Sequence, residues 1–261
     1  MTAAPTPRVA VTGTGWPRVT AIAGLVLAAA ALLLLAAGPV GWRAGWWGYR
    51  LALATLMPYA FFTGVAAIAI SGIALVVALG RMTWRIIVVA ACGLIIGGVA
   101  AYFPWHLYQM RGTSPPFHDI TTDAENPPSF AFAAAMRAAE NGAGIAYPSN
   151  AAALQAKNDP DIAPALLDLP PEQAFDRALA VVKAKRWTIV STDPRDGVID
   201  AYDKSFWFGF TDDIAIRVVP HGEGSRVDIR SGSRQGRGDF GVNAARVRSF
   251  LAAMNATAIT K

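Results

Sequence analysis

No carboxylate occurs among the first 118 residues of this chain; all 18 Asp and Glu lie at or after Asp119. The same stretch holds seven arginines and no lysine. A water-exposed domain spreads both signs of charge over its surface. Inside a bilayer, by contrast, a carboxylate is costly and is kept only where it works. The asymmetry therefore divides the chain into a membrane anchor, residues 1–110, and a water-facing remainder, residues 111–261.

Three runs in the anchor lack Asp, Glu, Lys and Arg: Val19–Trp42, Leu51–Gly80 and Ile86–Met110. Each exceeds the roughly 20 residues a helix needs to cross the hydrocarbon core. Spans are expected near 20–40, 58–80 and 85–104, with Pro58 at the start of the second, where its missing N–H costs little. The first run is longer than the apolar core of a cleavable signal, and two more runs follow it, so it reads as an uncleaved anchor. Gly64, Gly72, Gly93, Gly97 and Gly98 would let helix backbones pack closely. Arg8, Arg18, Arg81 and Arg85 on one side outnumber Arg43, Arg50 and Arg111 on the other. That bias points to an inner (cytoplasmic) membrane protein with its C-terminal domain on the extracytoplasmic side. The only ionisable side chain within these runs besides Cys92 and the tyrosines is His106, near an end, so proton or ion conduction by the helices is not expected.

The net charge of +5 hides a remainder in which 18 acidic groups slightly outnumber the basic ones. Its basic character belongs to the anchor and gives no argument for nucleic-acid binding. Residues 111–170 are irregular and punctuated by Pro115, Pro116, Pro127, Pro128, Pro148, Pro160, Pro164 and Pro170, with a short helix around Phe130–Glu140, and are expected to pack on the soluble core. From Pro171 the pattern is regular. Phe175, Ala178, Leu179 and Val182 recur at helical spacing over 171–186. Four strands are expected at Trp187–Thr192, Val198–Tyr202, Asp213–Val219 and Arg226–Ser231, then a helix from Asn243, as N-cap, to about Met254. Matching the apolar faces of the last two strands sets Ile216 opposite Ile229, Val218 opposite Val227 and Arg217 opposite Asp228, with His221–Gly224 as the loop. The result is an α+β domain: a four-stranded antiparallel sheet flanked by helices, in a helix-grip or TATA-binding-protein-like shape.

Gly236, Gly238 and Gly241 match G-x-G-x-x-G, but no βαβ unit surrounds them and no acidic residue follows at the required distance, so no dinucleotide site is expected. Ser231, Ser233, Arg234 and Arg237 lie in a glycine-rich connection leading into a helix and form a candidate anion-binding loop. Trp207-Phe208-Gly209-Phe210 is an apolar cluster suited to core or to a membrane-facing surface. No G-x-S-x-G elbow or H-E-x-x-H motif occurs, and the single cysteine, Cys92, lies in an apolar run.

Several separated motifs agree in order with one family. They are Phe117-His118-Asp119-Ile120-Thr121-Thr122-Asp123 followed by Asn126-Pro127-Pro128, then Asp212-Asp213-Ile214-Ala215-Ile216-Arg217. After these come Arg226-Val227-Asp228-Ile229-Arg230-Ser231 and Gly238-Asp239-Phe240-Gly241-Val242-Asn243-Ala244-Ala245-Arg246. Over about 115–255 the chain resembles the bacterial and plastid family DUF1499, a domain of unknown function. The resemblance implies no activity and no cofactor. It implies that any shared polar site is drawn from His118, Asp119, Asp123, Asp212, Asp213, Arg217, Asp228, Arg230, Asp239 and Arg246, with Ser231 and Ser233 beside them. The expected function is a membrane-anchored binding module of the cell envelope, its partners the bilayer and a lipid, anionic ligand or membrane protein. Two alternatives stand: a metal-dependent or hydrolytic enzyme using His118–Asp123 with Asp212 and Asp213, or a structural subunit of a membrane complex.

Overall fold

In the computed structural model, residues 15–113, 117–140, 142–236 and 238–256 are described. The chain forms two compact units, Met1–Gln109 and Met110–Lys261.

The first unit contains three helices long and apolar enough to cross a membrane: Trp16–Arg43, Tyr49–Gly80 and Trp84–Met110. Helix α1 (Trp16–Arg43) packs on α3 (Met57–Gly80) with small residues at the contact, Gly24 lying against Ser71 and Gly38 against Met57. Lipid gives apolar helices no hydrophobic reason to associate, so close backbone approach supplies the attraction. The approach is tightest around Ser71: a Cβ on Gly24 or on Gly93 would come within 2.3 Å of the Ser71 hydroxyl oxygen. Glycine at both positions is what brings α1 and α4 (Trp84–Thr113) against α3 there.

Pro58 stands in the first turn of α3, but helical backbone already precedes it. A helical turn, α2 (Tyr49–Leu51), and a π-helical stretch, Ala52–Leu56, precede it in one continuous run. A proline ring collides with the carbonyl four residues back, here that of Ala54, and the wider π turn gives it room.

The second unit is α+β. Its antiparallel sheet has strand order β1-β6-β5-β4-β3. These strands are β1 (Asp119–Thr121), β3 (Thr188–Asp193), β4 (Val198–Lys204), β5 (Thr211–His221) and β6 (Gly224–Ser233). A sixth strand, β2 (Ala165–Leu167), pairs with β6 at residues 225–227, further along the edge that β1 occupies at 230–232. The sheet thus carries two strands beyond the four read from sequence. Both are three residues long, too short for an alternating pattern to register. They lie in the proline-rich segment, which also contributes a 3-10 turn at Ala131–Ala133 followed by α5 (Ala134–Ala139), and α6 (Ala151–Asn158).

The β5–β6 register is the one the apolar faces require: Ile216 faces Ile229, Val218 faces Val227 and Arg217 faces Asp228. The ladder extends to His221 opposite Gly224, so only Gly222 and Glu223 form the turn. Gly222 has φ 59°, the positive value that the first central residue of a II′ turn takes and that glycine adopts without cost. One sheet face buries Ile199, Ile214, Ile216, Val227 and Ile229 against α7 (Pro171–Ala184) and α8 (Val242–Asn255), which supply Phe175, Val182, Val247 and Phe250. The other face is charged, and residues 119–140 cover much of it.

Candidate functional site

Strand periodicity sorts the polar motif residues. Successive side chains point to opposite faces, so Asp213, Arg217, Asp228 and Arg230 share the charged face, while Asp212, Ser231 and Ser233 face the helices. Asp212 and Asp213 therefore belong to different environments.

On the charged face, Arg217 meets Asp228 at 3.0 Å across the strands. Asp123 closes a square with them, 3.0 Å from Arg217 and 2.9 Å from Arg226, and Arg226 in turn meets Asp228 at 3.0 Å. Burial pushes the Asp123 carboxyl up, but the Asn126 N–H and the guanidiniums of Arg226 and Arg217 outweigh it, so its pKa falls below the ordinary value. Nearby, Arg230 grips Asp119 with two parallel bonds, Nε to Oδ1 at 2.9 Å and Nη2 to Oδ2 at 2.7 Å. Such bidentate pairs fix geometry as well as charge.

Asp213 is fully buried and takes bonds from two further arginines, Arg137 Nε at 2.7 Å and Arg234 Nη2 at 2.7 Å. Arg234 also reaches Glu140 at 2.6 Å. Phe130 joins this group, with the Arg230 guanidinium 4.1 Å and the Arg137 guanidinium 4.5 Å from its ring centroid. Every one of these charges is compensated, as buried charge must be. Gln155 completes this side by bonding both the N–H and the C=O of Thr121, which occupies β1's outer edge as a strand would.

On the helical face, Asn243 is wholly buried and is not the N-cap of α8. Gly241 holds the cap position, and the Asp239 carboxylate accepts the N–H groups of Gly241 and Asn243. Asn243 is drawn inward because its amide spans four partners: it donates to Ser233 Oγ and to the His118 carbonyl, and accepts from Ser231 Oγ and from Arg246. Beside it, Arg246 meets Asp212 at 2.8 Å and Asp203 at 3.1 Å, and also donates to Ser231 Oγ and to Asn243. Burial raises the Asp212 carboxyl above its ordinary value despite the opposing pull of Arg246. His118 contributes its backbone carbonyl, while its buried ring Nδ1 has no hydrogen-bond partner among the described residues.

The motif residues thus form networks on two faces instead of one site. Among the described residues, no three His, Cys, Asp or Glu side chains converge as metal ligands. The anion loop is divided too: Ser231 and Ser233 face α8, Arg234 is committed to Asp213 and Glu140 on the other face, and Arg237 lies outside the described residues.

An open cleft of about 310 Å³ adjoins Arg246, lined by Lys185, Trp187, Asp203, Val242, Arg246 and Ser249. Trp187 is stacked on Phe250 and forms a fixed wall. Lys185 bonds the Ser249 hydroxyl and lies 5.9 Å from the Trp187 ring. Among the described residues it forms no ion pair. Burial lowers its pKa. Nothing in the sequence singled out Lys185, Trp187 or Ser249. A lysine after a helix and a tryptophan opening a strand are ordinary on their own, and only the packing of α8 over them makes a cleft.

A family model described as Protein of unknown function (DUF1499) matches residues 119–254. No curated protein matches the chain.

Proposed function

We propose, for a chain that belongs to the DUF1499 family, that it is a membrane-anchored binding module whose soluble domain holds an amphiphile with an anionic head in the Lys185–Trp187–Ser249 cleft. The observation carrying this reading is Lys185: a partly buried ammonium with a hydroxyl beside it and no carboxylate partner among the described residues, next to a fixed aromatic wall. A ligand anion would supply the missing counter-charge. Trp187 and the exposed Val242 would cover its apolar part.

The three apolar helices support anchoring, and the arginine bias of the sequence supports an extracytoplasmic domain. The enzyme alternative has less support. Each carboxylate named for it that lies on the sheet is engaged by an arginine.

The test is calorimetric titration of the full chain in lipid nanodiscs with butyl phosphate. Lys185→Gln is expected to weaken binding about tenfold, the effect of losing a charge-assisted hydrogen bond of ~1.5 kcal/mol. Because the anion favours protonated Lys185, affinity is full below the lysine's depressed pKa and falls as pH rises through it, earlier than for an ordinary lysine. Equal affinity in the variant, or no pH dependence, contradicts the proposal.

A further inference from the structure

The Lys185–Trp187–Ser249 cleft has a second pole. Among the described residues that line it, Lys185 and Asp203 bear opposite charges, yet no ion pair joins them. The Asp203 carboxylate is held by one bond at each oxygen. Oδ1 accepts the Lys204 N–H at 2.9 Å, and Oδ2 accepts Arg246 Nη2 at 3.1 Å. An ionised carboxylate offers about four lone-pair sites, so about half of them remain for a donor arriving from the cleft. Its side chain is 38% exposed, against 7% for Asp212.

Arg246 does not neutralise this pole. Its guanidinium is shared between Asp203 and the buried Asp212, 2.8 Å away, and Asp212 feels the charge of Asp239 as well. One cation facing two carboxylates leaves negative charge over, and Asp203 is where that surplus meets water. The cleft therefore presents an ammonium and a carboxylate that do not satisfy each other. A ligand with an anion alone would pair with Lys185 and meet repulsion from Asp203. A head carrying both charges would pair with both. We infer that the head of the bound amphiphile is zwitterionic, with a phosphodiester anion at Lys185 and Ser249 and a primary ammonium that donates to Asp203. A quaternary ammonium has no N–H to give, so the free lone pairs of Asp203 select the primary amine. The inference rests on the reading of this cleft as the ligand site. It makes Asp203 the residue that discriminates among amphiphiles whose anion Lys185 accepts.

The experiment titrates the full chain, in a non-ionic detergent, with two matched probes followed by calorimetry. Butyl 2-aminoethyl phosphate is zwitterionic; butyl ethyl phosphate has the same anion and no ammonium. Wild type is expected to bind the aminoethyl probe about tenfold tighter, the order of one charge-assisted hydrogen bond. Asp203→Asn keeps the side chain's shape and removes its charge, and is expected to bring the two probes to equal affinity. Lys185→Gln is expected to weaken both probes alike, because the anion is common to them. Equal affinity of the two probes for wild type overturns the inference and leaves the anion reading of the cleft in place. Binding of neither probe removes that reading, and the inference with it. A preference that survives Asp203→Asn overturns the role given to Asp203. The wild-type comparison involves no substitution, so it decides the matter even where Asp203→Asn does not fold.

Discussion

Asp213→Ala is expected to destabilise the C-terminal domain by about 3–5 kcal/mol, the cost of removing one partner from a buried ion pair. The carboxylate has no exposure and lies between Arg137 and Arg234, both nearly as buried. Deleting it leaves two guanidiniums facing each other with no water to separate them. Arg234 keeps Glu140, but Arg137 keeps, among the described residues, the Phe130 ring and the backbone carbonyls of Ala143, Gly144 and Gly232 and no counter-charge. The check is thermal unfolding of the full chain in detergent, followed by near-ultraviolet circular dichroism, which reports the packing around the domain's aromatic rings. A transition unchanged from wild type would mean that these arginines carry no structural charge.

Phe130→Ala should cost a similar ~3–5 kcal/mol, for a different reason: it empties a fully buried aromatic site. The ring also lies within cation–π distance of the guanidiniums of Arg230 and Arg137. Phe130→Leu separates the two effects in the same melt. Leucine restores most of the apolar volume and none of the aromatic face, so whatever deficit it retains measures the cation–π contribution, at about 0.5–2 kcal/mol per contact. If the leucine variant melts with wild type, Phe130 is packing alone.

Both predictions concern residues whose partners lie far away in sequence, and that distance divides what could be read beforehand from what could not. Alternation in β5 and β6 makes their register legible, because a slip of one residue would bury Arg217 and Asp228 among isoleucines. The same parity places Asp212 opposite in direction to Asp213, so the division of the polar motifs between two faces was already present in their numbering. Residues outside the strands carry no such parity. Nothing local tells that Arg137 reaches Asp213, 76 positions on, or that Asn243 turns inward to Ser231 instead of capping its helix. Asn243 is at a position where a cap is chemically reasonable, and the Asp239 carboxylate takes that task from four residues upstream. Pro58 reads as a helix start and does stand in the first turn of α3, while the π turn that runs helical backbone into it has no sequence signature. The polar residues grouped by the family resemblance divide between the two sheet faces, and on each face they largely neutralise one another. The cleft at Lys185 stayed hidden because it depends on α8 lying over the start of β3.

That cleft is where the functional account stands or falls. Native mass spectrometry of the full chain, released from the membrane in which it was made, tests it most directly when wild type and Lys185→Gln are compared side by side. The account predicts a discrete bound mass on the wild-type chain, consistent with an anionic amphiphile, that is lost from the variant while both remain folded. A bare wild-type chain, or a bound mass that survives the loss of Lys185, would contradict it.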